Sequence, residues 1–339
     1  MSSSLTVSIA FFLLGAFLIG VFGVRMTHLA RELAHTTGLG EAMMGAFFIG
    51  GATSLSGIVT TVTAAVEGHP EMAVSNALGG IAAQTAFLAI ADSVYRRANL
   101  EHAAASAENL MMCAFLIMLL AIPLVAFAVP EPSFLGIHPL SLVLVAAYAF
   151  GIRLLARTHA MPMWIPRRTS ETRSEHKSSP AGRRKDSRRP WFSFLLCAAV
   201  VAVAGWLLTQ AAIVIAAETE LSEGLVGGVF TAVSTSLPEL VIAVTAVRMK
   251  SLTLAVGDII GGNGFDTLFI AMSDIAYRDG SIYAAITANE LYWLAISLLM
   301  TGILLMGLLH RERHGIANIG LESVLILLLY AVSLVHMAT

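Results

Sequence analysis

Apolar residues fill the chain in long runs broken by short polar stretches. Ten such runs can be drawn, near residues 5–26, 41–66, 71–95, 105–130, 136–157, 190–217, 223–248, 252–276, 283–309 and 315–336. A bilayer core about 30 Å thick takes roughly 20 apolar residues as a helix, and most of the runs meet that length. Backbone groups in lipid must be hydrogen-bonded within the segment, which predicts helices; the strands of a barrel would show shorter, alternating stretches. The pattern therefore predicts an all-α polytopic membrane protein of ten transmembrane helices. Residues 161–189 are polar, rich in Ser, Arg and Lys and without apolar periodicity, and they read as a disordered hinge. The expected organisation is a first transmembrane half at 1–160, a linker at 161–189 and a second half at 190–339.

Composition supports this reading. Of 339 residues, 57% are hydrophobic and only 12% are charged, half the roughly 25% of soluble domains, so the chain lacks the surface a soluble core of this size needs. The net charge of -2 identifies no partner, because the basic residues are segregated by position. Arg25, Arg31, Arg96, Arg97, Arg153, Arg157, Arg248, Lys250, Arg311, Arg313 and the nine basic residues of the linker all fall on one side, and Arg278 falls on the other. The excess of Lys and Arg in cytoplasmic loops then places the linker in the cytoplasm and both termini outside. The expected setting is a prokaryotic inner (plasma) membrane. The expected partners are the lipid bilayer and small inorganic cations, with no nucleic acid, no obligatory protein partner and no cofactor. Cys113 and Cys197 lie in apolar runs without metal-ligand spacing and read as packed thiols. The first run lacks a basic leader and a cleavage site, so it reads as a retained span.

Each half has an odd number of spans, so the second starts on the opposite side of the membrane from the first. A shift of 182 positions aligns Thr37–Asp92 with Thr219–Asp274 without a gap, and 20 of the 56 pairs are identical. The matches include polar and glycine pairs, among them Glu41/Glu223, Gly45/Gly227, Thr53/Thr235, Ser54/Ser236, Gly79/Gly261, Gly80/Gly262, Thr85/Thr267 and Asp92/Asp274. Shared apolar composition would favour Leu and Ala identities, so the halves read as two inverted five-helix repeats. That is the architecture of secondary transporters, whose sites lie at mid-membrane depth where the repeats meet.

Gly50, Gly51 and Gly57 in the second span and Pro238 in the seventh mark expected helix breaks there. Pro238 removes a backbone donor, leaving carbonyl oxygens open to a cation. The Gly79-Gly80 and Gly261-Gly262 pairs allow a close helix approach, for packing or for the site. Glu239 sits mid-span with no Lys or Arg at its depth, which costs several kcal/mol unless a proton or a cation compensates. Asp258, Gly262 and Asp266 share one helix face, with the two acids about 12 Å apart along the axis. That is too far for a shared proton, and it suits stations along an ion path. Their repeat partners, Asn76, Gly80 and Gln84, form the same face without charge.

The candidate cation-binding set is thus Thr53, Ser54, Asn76, Gln84, Thr235, Ser236, Glu239, Asp258 and Asp266, with Glu239, Asp266 and Asp258 as the acidic metal ligands. All are hard oxygen ligands, which suits sodium or calcium and does not point to zinc or copper. Glu41 and Glu223 begin spans and read as helix-terminal acids. Asp92 and Asp274 read as caps or gates, and Thr63 and Thr245 as bonding back to helix carbonyls.

The segments Thr235-Ser236-Leu237-Pro238-Glu239-Leu240 and Gly257-Asp258-Ile259-Ile260-Gly261-Gly262-Asn263-Gly264-Phe265-Asp266 resemble the alpha repeats of the sodium/calcium exchanger superfamily, the cation/calcium antiporters. The resemblance implies two broken helix pairs around cation sites that open to alternate faces as the first and sixth spans slide. By position, those sites fall on Thr53, Ser54, Gln84, Thr235, Ser236, Glu239 and Asp266. Asp258 and Gly262 replace the superfamily's usual Asn and Ser. In the first repeat, Ser56-Gly57 stands where the superfamily has Pro-Glu, so one calcium-ligating carboxylate is missing and Asp258 stands as its candidate replacement. Sodium-for-calcium exchange is the expected function. The alternatives are a proton-coupled cation exchanger and a non-transporting membrane scaffold or sensor. An intramembrane hydrolase is excluded, since no facing aspartate pair or Ser/His arrangement occurs, so no enzyme activity is expected.

Overall fold

The computed structural model describes residues 3–129, 134–160, 163–167, 169, 170, 172, 188–217, 226–315 and 319–338. Among these, the regular structure is helical, apart from one bridge between Phe134 and Ile137. The first repeat runs α1 (Ser3–Thr37), α2 (Glu41–Met43), a π-helical turn (Met44–Ile49), α3 (Gly50–Thr53), α4 (Leu55–Val66), α5 (Pro70–Val94), α6 (Leu100–Ala103), α7 (Ala107–Ala128) and α8 (Pro139–Ala160). The second runs α9 (Arg188–Ala217), a π-helical turn (Val226–Thr231), α10 (Ala232–Thr235), α11 (Leu237–Arg248), α12 (Leu252–Ala276), α13 (Ile282–Ala285), α14 (Ala288–His310) and α15 (Leu321–Ala338). From the π-helical turns to α6 and α13, both bounds of each element recur 182 positions later, so the repeat read from identities is also a repeat of backbone.

Seven of these helices (α1, α5, α7, α8, α9, α12 and α14) are long and apolar enough to cross a membrane; Leu321–Met337 is a shorter apolar helix. Two further spans are bent pairs, Glu41–Thr53 with Leu55–Val66 at 45° and Gly228–Thr235 with Leu237–Arg248 at 47°. Nine segments of the described residues are thus long and apolar enough to cross, and the shorter Leu321–Met337 stands at the tenth predicted span. The first helix continues to Thr37, well past the predicted end at residue 26, and the ninth span begins after the short α13.

The apolar pattern found the spans, and burial sorts them. α5 and α12 are buried over 94% and 89% of their most apolar windows, against 17% for α1. Both carry small and polar residues on all sides, so neither has a lipid-facing stripe, and they form the centre. α1 packs along α9, and its outer face exposes Phe11, Leu13 and Phe17, as the lipid-facing wall of such a bundle requires.

Small residues let the central backbones touch. A Cβ on Gly261 would land on Ala46, and one on Gly79 would land on the Gly228 backbone. Gly45 lies against the backbone of Leu254 and Asp258, where a Cβ would sit 2.7 Å from each. We expect Gly261→Ala to lower the melting temperature in detergent by an amount equivalent to about 1–3 kcal/mol, the usual cost of overpacking. Gly302 in α14 has nothing within 4 Å of an added Cβ, so Gly302→Ala should be neutral or stabilise by up to about 1 kcal/mol through helix propensity.

The structure corrects three expectations. The bends lie at Ser54 and Ser236, not at the glycines or the proline. Gly57 continues the helix of α4, and Pro238 occupies the first turn of α11, where its missing N–H costs nothing. The first-repeat bend is nearly the same angle without any proline, so proline is not its cause. Part of the linker is docked: the Arg311 guanidinium donates to the Arg167 carbonyl at 2.7 Å and the Thr172 hydroxyl at 2.8 Å, and Thr169 meets His102 at 2.8 Å. Linker residues 161, 162, 168, 171 and 173–187, and Glu223, lie outside the described residues.

Candidate cation site

The bends aim their hydroxyls inward. Ser54 closes α3, and its hydroxyl donates to Asp266 Oδ1 at 2.7 Å, joining the first repeat to the second. Gln84 on α5 donates from Nε2 to Asp266 Oδ2 at 2.6 Å and reaches Ser236 Oγ at 3.4 Å. Ser54, Gln84, Ser236 and Asp266 thus form one cluster at the crossing of α5, α12 and the two bends. Every candidate residue, Asn76 and Thr235 included, is at most 7% exposed.

The paired glycines divide their roles. Gly79 and Gly261 are consumed by backbone packing, whereas Gly80 and Gly262 face the cluster. A Cβ on Gly80 would lie 3.7 Å from Ser236 Oγ and 3.9 Å from Asp266 Oδ2, and one on Gly262 would lie 3.3 Å from Gln84 Oε1. The missing side chain at Gly80 therefore leaves room for a methyl group beside Asp266 Oδ2.

Charge is not balanced from within. Glu239 is 1% exposed and Asp258 is 0% exposed, and each interacts electrostatically with the other acids of the group. No ion pair among the described residues reaches these carboxylates. Hydrogen bonding is unbalanced in the same sense. The buried side-chain atoms without a partner on α5, α11 and α12 around the site are Asn76 Oδ1, Gln84 Oε1, Glu239 Oε2, both Asp258 oxygens and Asn263 Oδ1. All six are acceptors. The matching amide nitrogens are occupied: Asn76 Nδ2 donates to Thr61 Oγ1 at 2.8 Å, and Asn263 Nδ2 donates to Thr85 Oγ1 at 2.9 Å. Gln84 cannot be turned around, because its nitrogen faces a carboxylate. Asn263 cannot either, because the Thr85 proton goes to the Ile81 carbonyl. Buried acceptors cost free energy when left unpaired, and a hard cation with oxygen ligands is the species that would satisfy them.

The three acids are spread out. Among the described residues no group of three or more His, Cys, Asp and Glu side chains comes together tightly enough to hold a metal ion. Asp258 and Asp266 lie eight positions apart on α12, about 12 Å along the axis, so they cannot close on one ion. Neutral oxygens would have to complete any ligand shell around one acid. Thr53 and Thr235 hydroxyls bond back to their own helices at Gly50 and Ala232, and the Thr53 side chain also meets Glu239. Asn76 lies beside Thr61, in a pair apart from the Asp266 cluster.

Two features were not read from the sequence. The π-helical turns precede both bends, as wide turns often do near functional sites. The space beside Gly57 is filled by the Phe269 ring, whose Cε2 would lie 2.6 Å from a Cβ there. The room that a side chain at position 57 would need is thus taken by an aromatic ring.

Two inverted repeats with paired broken helices meet around buried oxygen atoms within a bundle of apolar spans, the architecture of secondary transporters. The sequence matches the family described as sodium/calcium exchanger protein over residues 7–156 and 189–339. The chain belongs to that family, whose members are cation antiporters. Among solved structures it is similar to the sodium-calcium exchanger NCX_Mj soaked with 2.5 mM Na+ and 10 mM Sr2+, at 16% identity over 98% of this chain and 99% of that one, with a TM-score of 0.72. The same exchanger soaked with 2.5 mM Na+ and 0.1 mM Ca2+ gives 17% identity over 97% and 98%, at 0.71. Soaked with zero Na+ and Ca2+, it gives 16% over 98% and 99%, at 0.68. At such identity the likeness shows a common fold. No curated protein matched the chain.

Proposed function

We propose that the protein exchanges sodium for calcium by alternating access, with Glu239, Asp258, Asp266, Ser54, Ser236 and Gln84 as the groups that meet the ions. The observation that carries this reading is the set of six unpartnered buried oxygens beside amide nitrogens that are already engaged. Such a site is rich in oxygen acceptors, which suits a cation. Calcium or sodium supplies charge to the acids, and each ion released leaves carboxylates that are costly to carry through a dry barrier. The empty carrier therefore does not reorient, and the exchange is coupled. We place the protein in a prokaryotic plasma membrane with its linker in the cytoplasm and both termini outside, on the distribution of Lys and Arg.

A second reading, proton-coupled exchange, is favoured by one observation: Phe269 takes the room of the first-repeat acid, so fewer charges are available for sodium. Calcium uptake into proteoliposomes under an imposed sodium gradient, then under a proton gradient, separates the two. Sodium-driven uptake is expected. Uptake with protons alone replaces sodium as the coupling ion, and uptake with neither overturns both readings in favour of a non-transporting scaffold.

A further inference from the structure

The two faces of the molecule carry one loop clamp in two chemical versions. On the face away from the linker, Asp274 at the end of α12 accepts the amides of Ile282 at 3.1 Å and His138 at 2.7 Å. Its mate Asp92, at the end of α5, accepts the amides of Leu100 at 2.6 Å and Gly320 at 3.1 Å, and each of these four positions lies 182 from its counterpart. Ser141 donates to Asp274 at 2.8 Å and meets the Tyr283 hydroxyl at 2.9 Å. Its counterpart Ser323 donates to Glu101 Oε1 at 3.0 Å. A phenol, neutral at pH 7, thus suffices on one face, where the linker face has a carboxyl group. Leu140 is likewise matched by Glu322.

The linker-face clamp is therefore overloaded with acid. Glu101 is 4% exposed, and its Oε2 has no partner; nor does the nearby Asn99 Nδ2. Glu101 Oε2, Glu322 Oε2 and Asn99 Nδ2 all lie within 3.3 Å of the point a Cβ on Gly320 would occupy. Asp92 on α5 and Glu322 on α15 are the charges that act on Glu101. The neighbouring basic groups are turned toward the linker. Arg311, past the end of α14, donates to the carbonyls of Arg167 and His102 and to Thr172, and Arg313 reaches Ser170. The His102 ring lies between the Arg311 carbonyl and Thr169.

We propose that Glu101 is a proton-binding site, separate from the central cluster, whose proton holds the loop between α5 and α7 against the start of α15. Protonated, Glu101 stands beside its serine as a neutral group, as Tyr283 does on the other face; it accepts from Ser323 and keeps a donor for Glu322 or a bridging water. Ionised, it sets a third unpaired charge beside Asp92 and Glu322, and the loop and the start of α15 are driven apart. Burial first, then the Asp92 charge, push the Glu101 carboxyl up from 4.5 to about 8. Between those values the closed clamp holds a proton that the open loop does not, so closure weakens as pH rises through the window and changes no further above it.

Hydrogen–deuterium exchange of the whole protein in detergent, corrected for intrinsic rates, tests this at the amides of Leu100 and Gly320. Wild type should lose protection at both between pH 6 and pH 9, at least tenfold, while Ile282 and His138 stay protected. Glu101→Gln, which mimics the protonated acid, should keep protection at pH 9. Glu322→Gln, which removes a repelling charge, should flatten the loss; a purely structural glutamate at 101 would not respond to it. Equal protection across the range in wild type, or an unchanged loss in both variants, overturns the proposal.

Discussion

Glu239→Gln should abolish calcium transport while leaving the fold intact. The substitution keeps shape and volume and removes one charge from a side chain that is 1% exposed with an unpartnered Oε2. It also turns an amide nitrogen into a region whose unpartnered atoms are all acceptors, where a cation needs oxygen. Both effects act against ion binding and neither against packing. A loss of at least ~100-fold in calcium flux corresponds to about 2.7 kcal/mol, well within the effect of removing one of so few charges from a buried ion site. Stability should move the other way, because an uncompensated buried charge is a cost to the empty protein. The melting temperature without ions should hold or rise, and its increase on adding calcium should vanish. Flux near the wild-type level would remove Glu239 from the site and would leave its burial unexplained.

Much of this arrangement was legible in the sequence, for reasons that are physical. Lipid forces each span to be a helix, so apolar runs located the spans. Because duplication kept polar identities such as Thr53/Thr235, Ser54/Ser236 and Gly80/Gly262, a one-dimensional shift found the elements that meet in space. The contact of Ser54 with Asp266 joins two residues 212 positions apart, and only the repeat made it foreseeable.

Other features depend on neighbours that no local pattern names. Gly79 and Gly80 are adjacent and identical, yet one is spent against Gly228 and the other opens on Asp266; helix rotation decides which. The bend at Ser54 has no proline, and the Gly50 and Gly51 that precede it stay helical, so residue type alone pointed to Gly50, Gly51 and Gly57. The overloaded clamp was invisible because Asp92 is shared by both repeats. Its meaning lies in Glu101 and Glu322, which have no acidic mates at Tyr283 and Leu140.

Asp258→Asn asks whether the acid lost at Gly57 has been replaced. The first repeat offers Ser54 and Gln84 to Asp266, both neutral, while Glu239, Asp258 and Asp266 all come from the second. With Phe269 in the space beside Gly57, a ligand cannot be restored there without moving a ring. Asp258 is fully buried and has both oxygens unpartnered, and it feels Glu239 and Asp266 electrostatically. A hard divalent cation gains from each added anionic ligand. Removing Asp258 should therefore raise the calcium concentration for half-maximal flux by tenfold or more, roughly 1.4 kcal/mol. Sodium, with half the charge, should be affected less. Gly57→Glu combined with Phe269→Ala should recover part of the lost calcium affinity in the Asp258→Asn background, because it returns an acid to the first repeat and clears the ring from its path. Unchanged calcium affinity in Asp258→Asn would make that carboxyl a neutral packing group, and would leave Glu239 and Asp266 as the whole charge of the site.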